Sequence, residues 1–234
     1  AFAASRVGVA ATIVVPEGNS VEKNRAMQAL GGRLVEHGHD FQAAVEHAAE
    51  LAAAEDLYML PSFHGRLVAG VATYAMELFE AAGPLDAVYV PIGLGSGICG
   101  MISAKLALGL ETEIIGVVSE GAPAYALSFA AGEPVSTNAA ETMADGMACR
   151  VPVPEAVATI NAHVARVVQV SDAEVMAAMR GYFADCHNVA EGAGAAPLAA
   201  LIQEKAQMAG KRVGLALSGG NIDRPLYMQA LNAA

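Results

Sequence analysis

Short runs of β-branched and apolar residues alternate along this chain with longer stretches in which apolar positions recur every three or four residues. The short runs predict strands at 11–15, 33–36, 57–60, 87–92, 113–119, 167–170 and 213–217. The longer stretches predict helices at 20–30, 41–51, 68–82, 172–185 and 195–209, with a further helix ending near 108. Such alternation is typical of right-handed βαβ units, so the sequence predicts an α/β fold with mostly parallel sheets.

Glycine recurs directly after the strand predicted at 87–92. Residues 91–100 read PIGLGSGICG, and a second glycine loop, SGGN at 218–221, follows the strand predicted at 213–217. Glycine lets the backbone approach a ligand closely, and the helix after the first loop offers unpaired N–H groups to an anion. Because ligands bind at the carboxyl ends of parallel strands, we expect both loops to face one site for a phosphorylated cofactor.

Two other interpretations of the first loop remain open. Gly95, Gly97 and Gly100 also have the spacing of a dinucleotide-binding fingerprint, and Glu120 follows the next strand where a ribose-binding acid would lie. This hypothesis predicts a nicotinamide- or flavin-dependent oxidoreductase. The fingerprint usually opens its domain, however, whereas several α/β units precede it here, and the loop at Ser218 is left without a role. In the remaining interpretation the glycines only turn the chain.

Composition narrows the class of partners. The 234 residues are 55% hydrophobic, and 24 acidic against 13 basic side chains give a net charge of −11. This balance argues against nucleic acid and against an anionic membrane surface, because both need a basic face. Residues 87–104 carry no charge, but their glycines, proline and serines favour strand, loop and helix over a membrane span. The three cysteines form no C-x-x-C pair, which favours reduced thiols in a cytoplasmic protein.

Histidine and cysteine supply weaker candidates. His37, His39 and His47 lie near one another, but their spacing suits no standard metal site, so solvated surface residues are the favoured interpretation. His64 is expected either to approach the site or to cap a turn. Cys99 follows the glycine loop, and a small buried residue is favoured over a reactive thiol. No metal site is predicted.

Five blocks of sequence, taken in order, resemble the serine/threonine dehydratase family of pyridoxal-phosphate enzymes, which have a fold of the tryptophan-synthase-β type. Each block is weak alone, and the five together are specific. They lie at 10–16 with Lys23, 70–73 with Glu77, 91–100, 141–146 and 217–221. A narrower likeness to the hydroxyectoine-utilization dehydratase branch lies in 93–100, 116–123 and 187–194.

The resemblance implies two α/β domains with mostly parallel open sheets and flanking helices. Residues 1–62 would be the remainder of a small domain, and residues 63–234 a large domain that carries both glycine loops. The first residues look like the middle of a helix without a cap, so we expect the N-terminal part of the family's fold to be missing from this chain. A cytoplasmic homodimer without membrane or nucleic-acid partners is also implied.

The resemblance assigns roles around a bound pyridoxal 5′-phosphate. The first loop would hold the phosphate, with Leu94 and Ser96 replacing two of the four consecutive glycines that most relatives have. Ser96 would add a hydroxyl donor, and Leu94 would point away. Ser218 would hydrogen-bond the pyridine nitrogen, Glu191 would lie nearby, and Asp145–Gly146 would shape the substrate side. The cofactor-binding residues are thus Gly93, Leu94, Gly95, Ser96, Gly97, Ser218 and Glu191.

The family's Schiff-base lysine and an asparagine that contacts the cofactor lie in N-terminal blocks that this sequence lacks. None of its lysines has the family context; they are Lys23, Lys105, Lys205 and Lys211. The resemblance therefore assigns no catalytic residue in this chain, and we expect the chain alone to be inactive. Where some relatives bind a divalent cation, this chain has Val118, Ala122 and Ala124, so we expect no metal.

The implied reaction is β-elimination from a hydroxy amino acid such as L-threonine or L-serine, giving a 2-oxo acid and ammonia. The narrower likeness implies a substrate from hydroxyectoine catabolism. Three alternatives remain: serine racemase-type activity, an inactive fragment, and the dinucleotide-dependent oxidoreductase.

Overall fold

The computed structural model describes residues 1–233, which form ten α-helices, six β-strands and one turn of 3₁₀ helix. They divide into two compact units, one of Ala1–Pro61 with Asn221–Gln229 and one of Ser62–Gly220 with the residues from Ala230 onward. The sequence assigns all of 63–234 to one domain, whereas 221–229 belongs here to the first unit. The division into two functional domains near residue 62 stays a prediction.

The first unit contains a two-stranded parallel sheet. β1 (Thr12–Val15) pairs with β2 (Arg33–Glu36), and Thr12 lies opposite Arg33. Its helices are α1 (Phe2–Val7), α2 (Val21–Ala29), α3 (Phe41–Ala54) and the first part of α10 (Arg224–Asn232).

Side-chain caps determine where two helices of the first unit begin. The Ser20 hydroxyl accepts a hydrogen bond from the Lys23 N–H at 3.1 Å. Asp40 accepts from the Ala43 N–H at 2.8 Å. Each cap satisfies an N–H group that has no partner within the helix. Helix α3 begins at residue 41 as predicted, and α2 begins one residue after its predicted start. Asp223 also accepts from the Ser20 hydroxyl at 2.6 Å, which explains why 221–229 belongs to this unit.

The second unit contains a four-stranded, fully parallel sheet in the order β5-β4-β3-β6. Residues 87–90 of β3 are buried, as expected for a central strand that is covered on both faces. The strands are β3 (Ala87–Pro91), β4 (Glu113–Ser119), β5 (Arg166–Val170) and β6 (Val213–Leu215). The helices are α4 (Gly65–Ala82), α5 (Ser96–Ala107), α6 (Ala124–Ala131), α7 (Pro154–His163), α8 (Asp172–Cys186) and α9 (Gly192–Gln203).

The predicted α/β fold with parallel sheets is confirmed, and β2 and β4 have the predicted bounds. The strand predicted at 57–60 is wrong. Tyr58 is 86% exposed and Leu60 69% exposed, and no strand in residues 1–233 pairs with this segment, so this run of large apolar and aromatic residues has no ladder to join. Helices α6, α7 and α10 were not predicted, although Pro154 at the start of α7 is a helix-start signal.

The helix predicted at 195–209 is displaced, because α9 begins at Gly192 and ends at Gln203.

Among residues 1–233, none of the helices combines the length and apolar character that a membrane-spanning helix requires.

Candidate active site

The two glycine loops lie side by side at the carboxyl edge of the four-stranded sheet. The first follows β3 and the second follows β6, and these strands are parallel neighbours with Ala87 opposite Val213. The Ala216 N–H donates to the Tyr89 carbonyl at 3.1 Å, which continues the pairing past the end of β6. Parallel neighbours end on the same side of a sheet, so both loops reach the same edge, as the sequence predicts.

The first loop leads into an uncapped helix N-terminus. Gly95 has a φ of 96° and precedes α5, which begins at Ser96 without a side-chain cap. The first helical hydrogen bond runs from the Cys99 N–H to the Gly95 carbonyl at 3.0 Å. The N–H groups of the preceding turn therefore have no intrahelical acceptor, and together with the helix dipole they form a site for an anion.

The glycines of this loop differ in their surroundings. A Cβ atom on Gly93 would lie 2.2 Å from the carbonyl oxygen of Gly146, and one on Gly95 would lie 2.6 Å from a methyl group of α7. Packing therefore requires glycine at both positions. Outside its own turn of helix, a Cβ atom on Gly97 would meet no heavy atom closer than 4.0 Å. Packing does not explain this glycine, and the open space lies beside the unpaired N–H groups.

Leu94 and Ser96 are the two residues of Gly93–Gly97 that carry side chains. Leu94 packs against the hydrophobic core, and the expectation that its side chain points away from a ligand stays a prediction. Ser96 is the first residue of α5 and is partly exposed. The outer side of the loop is therefore left to backbone N–H groups and one hydroxyl.

The second loop contacts Glu191, the residue before α9. The Glu191 N–H donates to the Gly219 carbonyl at 3.0 Å, and a Cβ atom on Gly219 would lie 2.6 Å from Glu191 Oε1. Ser218, the residue before Gly219, is exposed. Gly146 lies between the two loops, because a Cβ atom placed there would be 3.9 Å from Glu191 Oε1. The structure therefore brings Gly93, Glu191 and the Ser218 loop into one neighbourhood.

The segment Glu141–Gly146, which we call the strap, crosses the carboxyl edge of the sheet. Its Glu141 N–H donates to the Gly121 carbonyl after β4 at 2.8 Å. Asp172, after β5, accepts hydrogen bonds from the Thr142 hydroxyl at 2.5 Å and from the Met143 N–H at 2.9 Å. The family resemblance implied a role on the substrate side for Asp145–Gly146 alone. The contact of Asp172 with the strap was not predicted, because the two segments are about thirty residues apart and carry no shared motif.

The weaker candidates have structural explanations. The ring of His64 caps α4 by accepting from the Arg66 N–H at 3.0 Å. Burial raises the pKa of Cys99 to about 11, so this thiol is protonated at neutral pH. His37 and His47 stack with ring centroids 3.8 Å apart. Within residues 1–233, no three His, Cys, Asp or Glu side chains are grouped as a metal site requires.

A sequence model of one protein family, described as pyridoxal-phosphate dependent enzyme, matches residues 1–219. The chain belongs to this family. Two relatives among the curated proteins are similar over 99% of the chain. Phenylserine dehydratase of Ralstonia pickettii is 35% identical over 235 residues, and L-threonine ammonia-lyase of Thermotoga maritima is 30% identical over 233 residues. The chain spans 71% of the length of the first relative and 58% of the second.

Solved structures of the family have the same fold. The processed form of threonine deaminase isoform 2 from Solanum lycopersicum covers 100% of the chain with a TM-score of 0.90 and 28% identity, over 69% of its own length. A second threonine deaminase, from T.th., covers 95% of the chain with a TM-score of 0.86 and 30% identity, over 73% of its own length. Membership of the pyridoxal-phosphate family argues against the dinucleotide interpretation. Gly100 is explained by packing, since a Cβ atom there would lie 3.0 Å from the backbone of α4.

The residues of the first loop fit the phosphate of pyridoxal 5′-phosphate. The uncapped start of α5 supplies N–H donors, the space beside Gly97 is open, and no acidic side chain belongs to the loop. The neighbouring Ser218 hydroxyl is exposed and suits a ring nitrogen, which needs one short hydrogen-bonding side chain. These features satisfy the charge and space requirements of the cofactor's phosphate end.

The lysines of the second unit lie away from this loop. Lys105 is in the last turn of α5, nine residues after Ser96, which corresponds to about 13 Å along the helix. Lys205 and Lys211 follow the carboxyl end of α9, whose opposite end carries Glu191. The fourth lysine, Lys23, lies in α2 of the first unit.

Proposed function

We propose that the protein is a pyridoxal-phosphate dependent dehydratase, an ammonia-lyase that removes the β-hydroxyl of a hydroxy amino acid and yields a 2-oxo acid and ammonia. The observation that carries this proposal is the uncapped start of α5, open beside Gly97 and adjacent to the Ser218 loop. Phenylserine dehydratase, L-threonine ammonia-lyase and L-threo-3-hydroxyaspartate ammonia-lyase among the relatives support the class of substrate.

The chain's own groups divide the work of holding the cofactor. The N–H groups of Gly95, Ser96 and Gly97 bind the phosphate, and the Ser96 hydroxyl adds a donor. Ser218 hydrogen-bonds the pyridine nitrogen, and Glu191 fixes the Ser218 loop through Gly219. When bound, the cofactor would withdraw electrons from the substrate's α-carbon, and the Ser218 hydroxyl, unlike a carboxylate, would leave the ring nitrogen largely unprotonated. A weaker electron sink suits prompt loss of the β-hydroxyl.

Three finer proposals accompany this function. L-Threonine and L-serine are the first substrates to test, and a hydroxyectoine-derived amino acid is the narrower candidate. None of Lys23, Lys105, Lys205 and Lys211 binds the cofactor covalently, so the chain alone is inactive. The protein is a cytoplasmic homodimer.

The test is an assay of the gene product that contains this chain, loaded with pyridoxal 5′-phosphate. Release of 2-oxo acid and ammonia is measured with L-threonine, L-serine, phenylserine and L-threo-3-hydroxyaspartate. Ser218→Ala should lower kcat, while Ser103→Ala removes a hydroxyl that donates to the Cys99 carbonyl on the surface of α5 and should not. Racemisation of L-serine without 2-oxo acid, or no reaction with any of the four substrates, contradicts the proposed function.

A further inference from the structure

Tyr125 in α6 contacts the inner side of the first glycine loop. Its side chain is 2% exposed, and its hydroxyl donates to the Leu94 carbonyl at 2.7 Å. The same oxygen accepts a hydrogen bond from the Val153 N–H at 3.0 Å. A Cβ atom on Gly95 would lie 3.3 Å from this oxygen, so the hydroxyl lies directly against the loop. Both hydrogen-bonding roles of the hydroxyl are therefore used on backbone groups.

The geometry of a peptide bond links this contact to the opposite side of the loop. The Leu94 carbonyl and the Gly95 N–H belong to one peptide unit, and the structure has no cis peptide bond in residues 1–233. In a trans unit the C=O and N–H bonds point in opposite directions. Because Tyr125 holds the carbonyl on the inner side, the Gly95 N–H is directed outward. In the described part of the chain, no acceptor contacts that N–H.

Tyr125 also connects the loop to the start of α7. Val153 is the residue before this helix, and Ala156 of α7 lies against Gly95, where a Cβ atom would be 2.6 Å from the alanine methyl group. One hydroxyl therefore joins the loop, α6 and α7. Burial raises the pKa of Tyr125 well above its ordinary value, so the hydroxyl is protonated at neutral pH and can donate to the Leu94 carbonyl.

We propose that Tyr125 is a positioning residue of the phosphate loop, which orients the Gly95 N–H toward the cofactor's phosphate without touching the cofactor. This inference rests on the proposed function, since it takes the loop to be the phosphate site. Without the hydroxyl, the Leu94 peptide loses its inner partner and is free to rotate. Binding of a phosphate must then also fix the orientation of this peptide, and the entropy lost in doing so lowers the affinity for phosphate.

Tyr125→Phe tests this role, and Ser128→Ala is its matched control. Ser128 lies one turn further along α6, is fully buried, donates to the Ala124 carbonyl and accepts from the Val135 N–H at 2.9 Å. The Ser128→Ala variant therefore loses a buried hydroxyl from the same helix, but this hydroxyl does not contact the loop. Dissociation constants are measured for pyridoxal 5′-phosphate and for pyridoxal, which lacks the phosphate, in the gene product that contains this chain.

Tyr125→Phe should weaken binding of pyridoxal 5′-phosphate about tenfold, the effect of losing one well-placed hydrogen bond, and leave binding of pyridoxal unchanged. Ser128→Ala should leave the ratio of the two constants at its wild-type value even if it unfolds more easily. If Tyr125→Phe is less stable but keeps the wild-type ratio of the two dissociation constants, the positioning role of Tyr125 is wrong, while the phosphate site itself is not contradicted. A wild-type protein with no preference for the phosphorylated compound overturns the phosphate site and this inference together.

A second measurement uses the wild-type protein and so does not depend on the folding of a variant. In the ¹⁵N-labelled wild-type protein, adding inorganic phosphate should shift the Gly95 amide resonance as strongly as those of Ser96 and Gly97. A response of the latter two without Gly95 contradicts the proposed orientation of the Leu94–Gly95 peptide.

Discussion

The carbonyl oxygen of Gly146 fills the space in which any residue other than glycine would place its side chain at position 93, only 2.2 Å from the position of a Cβ atom. This contact brings the strap, Glu141–Gly146, against the first glycine loop, Gly93–Gly97. The strap thereby forms one wall of the candidate active site. The position of the strap depends in turn on its hydrogen bonds to Asp172, which follows β5.

Gly97→Ala separates ligand binding from folding. Because the added methyl group meets open space, the free energy of unfolding should stay the same or rise by up to about 1 kcal/mol, the helix propensity of alanine over glycine. The methyl group occupies room beside the N–H donors, so affinity for pyridoxal 5′-phosphate should fall by roughly 10- to 100-fold, as expected when a hydrogen bond to a charged group is lost. Urea unfolding and fluorescence titration measure the two effects.

Gly65→Ala is the control for this variant, since Gly65 is also helical and open but lies at the start of α4. It should change neither the affinity nor, by more than a fraction of a kcal/mol, the stability. An unchanged affinity in Gly97→Ala would show that the space beside Gly97 is not the phosphate site.

Gly93→Ala should have the opposite profile. The new methyl group would overlap the Gly146 carbonyl, and neither backbone can move without displacing the strap or the loop. We expect a loss of about 1–3 kcal/mol in the free energy of unfolding, which is typical of overpacking. Urea unfolding of the ligand-free protein checks this value, and wild-type stability would mean that the strap does not pack against the loop.

Asp172→Ala should release the strap. The carboxylate accepts from the Thr142 hydroxyl and the Met143 N–H, and its removal leaves both donors without this partner, at a cost of about 1–3 kcal/mol. Limited proteolysis should then cut within 137–148 faster than in the wild type. Asp185→Ala, at the exposed end of the same helix, serves as the comparison and should leave the cleavage rate unchanged.

The ionisation of Glu204 should make the free energy of unfolding depend on pH in the acid range. Arg166 donates two hydrogen bonds to it, at 2.8 and 2.7 Å, and buried Tyr89 donates a third, so the pKa of Glu204 is lowered, chiefly by Arg166. A lowered folded-state pKa means that the stabilisation is complete above the ordinary value of 4.5 and is lost as the pH falls through the folded-state pKa.

Glu204→Gln removes this dependence. The variant should unfold up to about 3 kcal/mol more easily at pH 7, and its difference from the wild type should shrink steadily as the pH falls below 4.5. Unfolding by urea across this pH range provides the measurement, with the exposed Glu133→Gln as the control. A constant difference between variant and wild type at all pH values would contradict the assignment.

The three cysteines should differ in reactivity. Burial raises the pKa values of Cys99 and Cys149 to about 11, whereas Cys186 is exposed. A thiol-specific chromogenic reagent at pH 8 should therefore label one cysteine rapidly in the native protein and all three after unfolding. Rapid native labelling of Cys99 would indicate that the start of α5 stabilises a thiolate despite its burial.

The sequence predicts those parts of the fold that depend on local signals. The strand at 113–119, the start of the helix at 41 and the glycine loop after β3 all follow from runs of residues that are adjacent in the chain. Tyr58 shows the limit of such signals. Its segment has the composition of a strand, but a strand also needs a neighbour, and the residues that supply neighbours are set by the tertiary fold.

The candidate site divides in the same way. The glycines and Ser218 are recognisable because glycine spacing and a strand end are local patterns. Tyr125 and Asp172 are not, because each makes its hydrogen bonds to groups about thirty residues away in the sequence. Only the packing of α6 and α8 brings these side chains to the loop and the strap.

The proposed function depends most on the binding of the phosphate of pyridoxal 5′-phosphate by the loop of Gly93–Gly97. A crystal structure of the gene product grown with this cofactor tests it most directly. We expect phosphate oxygens within hydrogen-bonding distance of the Gly95, Ser96 and Gly97 N–H groups, with the pyridine nitrogen facing Ser218. A phosphate bound elsewhere, or a ring nitrogen that faces away from Ser218, would contradict it.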